Sequence, residues 1–190
     1  MAQGNRTFVR WFRTARPAPI EEVAEQLWNP DVGVAAYAEH RVAYQLAVLE
    51  QYRLYVEMAD RVSARRALAN TFFLSLNTAV LVVIGVFWRD PPEAPPGLLV
   101  VPLLLLLALC LAWFWVVRSY RQLNAGKFAV IGALEQRLPA SPYSRAEWRA
   151  LGEGQDKGTY WPLTHVEQWV PAVYAAAYLA GFLAVLLSDH

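Results

Sequence analysis

Hydrophobic and polar positions divide this chain into three long apolar runs set between charge-rich segments. The first run, 69–88, reads ANTFFLSLNTAVLVVIGVFW, the second, 98–117, LLVVPLLLLLALCLAWFWVV, and the third, 169–187, WVPAVYAAAYLAGFLAVLL. None contains Asp, Glu, Lys or Arg. A helix needs about 20 predominantly apolar residues to cross the hydrocarbon of a bilayer. The pattern predicts an all-α integral membrane protein with three transmembrane helices, at 69–88, 98–117 and, with its first turn included, 165–187.

The segments between the runs also carry helical periodicity. No proline falls between Pro30 and Pro91, and Gly33 and Gly85 are the only glycines in that interval. Residues 34 to 88 are therefore expected to form one helix, about 80 Å long at roughly 1.5 Å per residue. Its first part, 34–68, is amphipathic, with Leu46, Leu49, Tyr52, Val56 and Ala59 at three-to-four spacing. Arg53/Glu57 and Glu57/Arg61 sit at i,i+4 on the wet side. The second run likewise continues through 118–138 to Pro139. A short Pro-rich turn, 89–97, makes the first two spans a long hairpin whose helical stalks share one side of the membrane. A connector, 139–164, follows; Ser144 and Glu147 have capping-box spacing and predict a short helix over 144–151, and Thr164 with Glu167 repeats the signal before the third span. Ahead of the first stalk, 1–33 is a basic and aromatic arm (RTFVRWFRTARP) with a short helix. Two readings of the arm stand: it lies on the inner leaflet, or it packs on the stalks.

Charge sets the orientation. The 190 residues carry a formal net charge of only +1, so nothing points to nucleic-acid binding. Nine arginines precede the first span, and seven Lys or Arg follow the second before the third begins. The 89–97 turn has Arg89 alone, against Asp90 and Glu93, and the chain after the third span reads SDH. Basic segments stay in the cytoplasm. The expected protein is multi-pass, in a bacterial plasma (inner) membrane, with a cytoplasmic N-terminus and an external C-terminus. No early apolar segment with a small-residue cleavage site suggests a secretory signal peptide. Arg61, Arg65, Arg66, Arg118 and Arg121 flank the spans on the basic side and form the expected inner-leaflet cluster.

Candidate functional positions follow from polarity inside the spans. On a helical wheel of the first span, Thr71, Ser75, Thr78 and Gly85 line one side with Asn70 and Asn77 beside them, while Phe72, Phe73, Leu76, Val80, Val83 and Phe87 cover another. Small and hydroxylated residues permit close helix approach, and polar side chains at this depth face protein or water, not lipid. Two readings fit this face: a wetted pathway, or interhelical hydrogen bonding. The third span carries Ala172, Ala176, Ala180 and Ala184 at i,i+4 with Ala177 and Gly181 adjacent, a packing surface for a neighbour. The second span offers no polar face and is expected against lipid.

Catalytic and metal chemistry find no support. His40, His165 and His190 are scattered without companion ligands at metal spacing. GEGQDKGT lacks the Gly-Lys order and the preceding strand of a phosphate loop. Cys110, the one cysteine, is expected to pack. No enzyme activity, cofactor or metal is predicted.

The blocks EQYRLYVEMADRVSARRALANTFFLSLNTAV, SYRQLNAGKFAVIGALEQRLP, YSRAEW and YWPLTHVEQWVP resemble the RipA family of octameric bacterial membrane proteins over roughly residues 40 to 172. That resemblance implies a plasma-membrane homo-octamer, a role linked in some members to intracellular growth, and no established chemistry. A weaker likeness, in the basic residues and Asn that open the first span, is to SLATT-type two-span effectors, thought to form pores in phage defence; the third span departs from that pattern. The expected function is that of a non-enzymatic oligomeric membrane scaffold or stress- or growth-linked assembly with cytoplasmic helical stalks, or alternatively of a channel or pore-forming, defence-type effector with span one facing the axis. Its partners are itself and membrane lipids.

Overall fold

The structure, a computed structural model, describes residues 18–37, 41–87, 99–154 and 163–188. The arm up to residue 17, the turn 89–97, the loop 155–162 and the residues after Ser188 lie outside it. The described chain is helical, without strands. The main helices are α1 (Ile20–Leu27), α2 (Arg41–Phe87), α3 (Val100–Glu135) and α4 (Leu163–Ser188). A 3-10 turn, Val34–Tyr37, precedes α2, and a π-helical turn, Pro142–Glu147, runs into Trp148–Ala150. Three helical segments, Val42–Val86, Val100–Glu135 and Val166–Leu187, are long and apolar enough to cross a membrane.

Residues 34–37 form a 3-10 turn and not the first turn of the long helix, which is described over Arg41–Phe87. The carbonyl of Gly33 accepts from the N–H of Ala36, closing a tight i→i+3 turn at Val34–Tyr37 instead of an α-helical one. The chain divides into two compact units, one joining residues up to Ala59 with Gln122–Glu153, the other joining Asp60–Arg121 with Gly154–His190.

In the first unit, α2 turns Val48, Tyr52, Tyr55 and Ala59 inward; Val48 and Ala59 are buried. That seam is rotated from the stripe the sequence suggests. Tyr52, Val56 and Ala59 of the stripe are covered, but Leu46 and Leu49 stay 59% and 49% exposed. On α3, Ile131, Ala133 and Leu134 are buried. Gly132 between them permits a close approach: a Cβ there would lie 2.7 Å from Ile20 Cδ1 of α1 and 3.3 Å from Ser144 Cβ.

Glu135, the last residue of α3, is buried and fully engaged. One carboxylate oxygen accepts from the Tyr143 N–H (3.0 Å) and the Tyr52 hydroxyl (3.2 Å); the other accepts from the N–H and hydroxyl of Ser144 (2.8 and 2.5 Å). A buried charge persists only when so satisfied. Ser144 is thus committed to Glu135, and the capping box expected with Glu147 does not form; the helical turn starts earlier, with Pro142 in its first turn. Burial, then the Glu135 charge and hydrogen bond, push the Tyr52 phenol up to about 12, so it stays a protonated donor across the physiological range. Two cation–π contacts complete this unit: Lys127 lies 4.7 Å from the Tyr55 ring centroid, and Arg137 lies 3.5 Å from that of Trp28 while donating to the Tyr44 hydroxyl at 2.6 Å.

Candidate functional site

The second unit holds the polar interior of the spans. Here α2 presents Asn70, Phe73, Asn77, Val80 and Ile84, a three-four-three-four progression that keeps one face inward. From α3 come Leu106, Cys110, Trp113 and Val117, and from α4 Pro171, Tyr174 and Tyr178.

Asn77 is the centre of this interior, with no exposed surface. Its Nδ2 donates to the Phe73 carbonyl at 2.8 Å, and its Oδ1 accepts from the Tyr178 hydroxyl at 2.7 Å and the Cys110 thiol at 3.8 Å. One amide therefore links all three spans. The second amide, Asn70, accepts from the Trp113 indole N–H at 2.9 Å. Aromatic rings carry the contact onward: Phe73 stacks on Trp113 (5.9 Å between centroids, 8° between planes), Trp113 meets Tyr174 at 5.8 Å, and Tyr174 meets Tyr178 at 6.1 Å.

The first turns of α4 meet two of the flanking arginines. Arg66 Nε pairs with Glu167 Oε2 at 3.4 Å, and Arg121 donates to Gln168 Oε1 at 2.7 Å. Arg118 is buried beside Trp115, its guanidinium 5.7 Å from the ring centroid. Arg61 and Arg65 are exposed. The expected basic cluster is thus distributed, three of its members folding against the protein.

The polar positions of the first span are also divided. Asn70 and Asn77 turn inward, whereas Thr71, Ser75, Thr78 and Gly85 lie on the exposed side. The Thr71 and Thr78 hydroxyls are satisfied within their own helix, donating to the carbonyls of Ala67 (3.1 Å) and Leu74 (2.8 Å). Of the apolar group, Phe73 and Val80 are covered while Phe72, Leu76 and Val83 are exposed, and the Phe87 side chain lies outside the description. The physical reason lies in donors that no single span reveals: Trp113 and Tyr178 offer N–H and O–H groups at this depth, and an amide left without them costs more than a phenyl ring turned to lipid. On α4, Ala172, Ala176, Ala177, Ala180, Gly181 and Ala184 are all exposed, and a Cβ added at Gly85 or Gly181 would meet nothing within 4 Å.

In the first unit, a polar groove of about 740 Å³ beside Glu135 is lined by Gln136, Ser141, Arg145, Trp148 and Arg149. No group of metal-binding residues occurs among the described residues, where Cys110 is a buried free thiol; the side chains of the three histidines lie outside them. A family model described as the octameric membrane protein family (8xMP) matches residues 49–187. No curated protein and no solved structure matches the chain.

The Asn77 network predicts an asymmetry between adjacent positions. Asn77→Ala strands the Tyr178 hydroxyl and should destabilise the bundle by about 1–3 kcal/mol. Thr78→Val, which removes only an internally satisfied hydroxyl, should leave it nearly unchanged. Thermal unfolding in detergent, followed by circular dichroism, checks this; equal losses at the two positions would contradict the network.

Proposed function

As the chain belongs to the octameric membrane protein family, we propose that it acts as a non-enzymatic scaffold whose extramembrane helices organise an assembly of eight copies. The protein is multi-pass and membrane-embedded, and its family is one of self-associating chains. The observation carrying the scaffold reading is apolar surface left uncovered in the first unit. Val42, Leu46 and Leu49 expose 68%, 59% and 49% of their surface on a charge-bearing segment of α2. Side chains of this kind, uncovered in water, mark protein contacts, and a copy of the same chain is the partner the family supplies. Leu49→Glu should lower the assembled mass in native gels while membrane insertion is retained. An unchanged octamer would remove the stripe from the assembly.

In this reading the basic segments are cytoplasmic in a bacterial plasma membrane, and the C-terminus is external, because Lys and Arg gather on one side of the spans. A reporter fused after His190 should be active only outside the cytoplasm; cytoplasmic activity reverses the orientation.

One observation favours a second reading, a channel with span one at the axis: the Thr71, Ser75, Thr78 and Gly85 face is uncovered in the protomer. The internally bonded Thr71 and Thr78 hydroxyls support the scaffold instead, since they do not require water, and no charged ring lies on that face to select an ion. Purified protein in liposomes should give no conductance above empty vesicles. Reproducible conductance would favour the channel.

A further inference from the structure

We infer that neighbouring copies join inside the membrane through two unlike faces, the Thr71/Ser75/Thr78/Gly85 face of span one in one copy seating on the Ala172/Ala176/Ala180 face of span three in the next. This rests on the octameric reading above and adds which surfaces meet, and in what register.

Symmetry supplies the first step. Copies inserted in one orientation cannot be related by a two-fold axis lying in the membrane, which would turn half of them over. Eight equivalent copies must then close about an axis along the membrane normal, and every contact between neighbours in such a ring is heterologous. Each copy therefore needs two different faces that complement one another.

The second unit offers two such faces. The inward seam of α2 is consumed by Trp113 and Tyr178. On α3 the exposed surface is bulky, with Leu104, Leu105 and Leu111 at 60%, 68% and 53% exposure, a surface suited to acyl chains. The remaining small-residue faces lie on different helices, one on α2 and one on α4. Between helices in lipid there is no hydrophobic drive, so close backbone approach and dispersion decide which surfaces pair. Gly85 and Gly181 leave open space where a Cβ would sit. Thr71 and Thr78 need no further partner and lose nothing in a dry contact.

Register is the independent observation. Within the unit, Arg66 pairs with Glu167 and Asn77 with Tyr178, so a residue of α2 lies level with the residue of α4 numbered 101 higher. Rotation about the membrane normal preserves height, so the same offset holds between adjacent copies. It carries Thr71 to Ala172 and Ser75 to Ala176, and brings Thr78 to Leu179, beside Ala180. At Thr71 and Ser75 the small face of one helix thus meets alanines of the other at matching depth, and Gly85 falls level with Leu186, whose bulk its open side accommodates.

Disulfide trapping tests the pairing. In a Cys110→Ala background, the full chain carrying Ser75→Cys and Ala176→Cys is oxidised in native membranes and resolved on denaturing gels. A ladder of covalent oligomers ending at eight is expected. Either single variant alone should remain monomeric, and the two single variants co-expressed should stop at dimers. The pair Ser75→Cys with Ala184→Cys, two turns out of register, should give no ladder. Dimers from Ser75→Cys alone, or an intact native octamer without a ladder from the matched pair, would overturn the face assignment. A parent protein that is monomeric by native mass measurement would instead overturn the octameric reading beneath it.

Discussion

The arrangement of the spans depends on one constraint: an amide buried in hydrocarbon must find its partners within the protein. Asn77 meets it by accepting from Tyr178 and Cys110 and donating to its own helix. Because those donors stand on the other two spans, satisfying one side chain fixes the rotation of span one and the height of span three together. Interhelical bonds of this kind are worth about 1 kcal/mol each, little as stabilisation. Their value is geometric, since the alternatives leave polar groups unpaired in lipid.

Once span one is rotated to bury its asparagines, the rest of its surface is assigned by default. The hydroxyl and glycine positions point away from the bundle. Thr71 and Thr78 tolerate this by bonding to carbonyls one turn back. The alanine face of span three is likewise free because Tyr174 and Tyr178 occupy the opposite side. A protomer with its polar groups satisfied inside and small faces outside is suited to repeat itself around a ring. The same division weakens the case for a pathway, because the most polar groups of span one are sealed within the protomer.

The first unit solves the analogous problem with charge. Glu135 closes α3 by accepting from two backbone N–H groups and two hydroxyls, so the chain reverses after Pro139 without a conventional capping box. The half-buried Tyr52 is held protonated as one of those donors. Around it, packing is close enough that Gly132 leaves no free room for a side chain, and the aliphatic positions it does not use remain on the surface.

The all-helical fold and its three long apolar helices were legible in the sequence, because apolar runs without charge, and charged helical segments without proline, have few other stable conformations. Periodic Ala, Thr, Ser and Gly marked small positions on spans one and three, and these are exposed in the protomer. What the sequence alone left open was rotation. Asn70 and Asn77 sit beside the hydroxyl positions on the wheel, and only the donors of Trp113 and Tyr178, distant along the chain, separate them; Leu46 and Leu49 are likewise indistinguishable from Tyr52 and Ala59 by spacing. Glu135 gave no local signal, since its partners lie on another helix and across a proline turn. Periodicity within one helix determines that a face exists. Which neighbour it meets is a long-range question of hydrogen-bond satisfaction, and tertiary structure alone decides it.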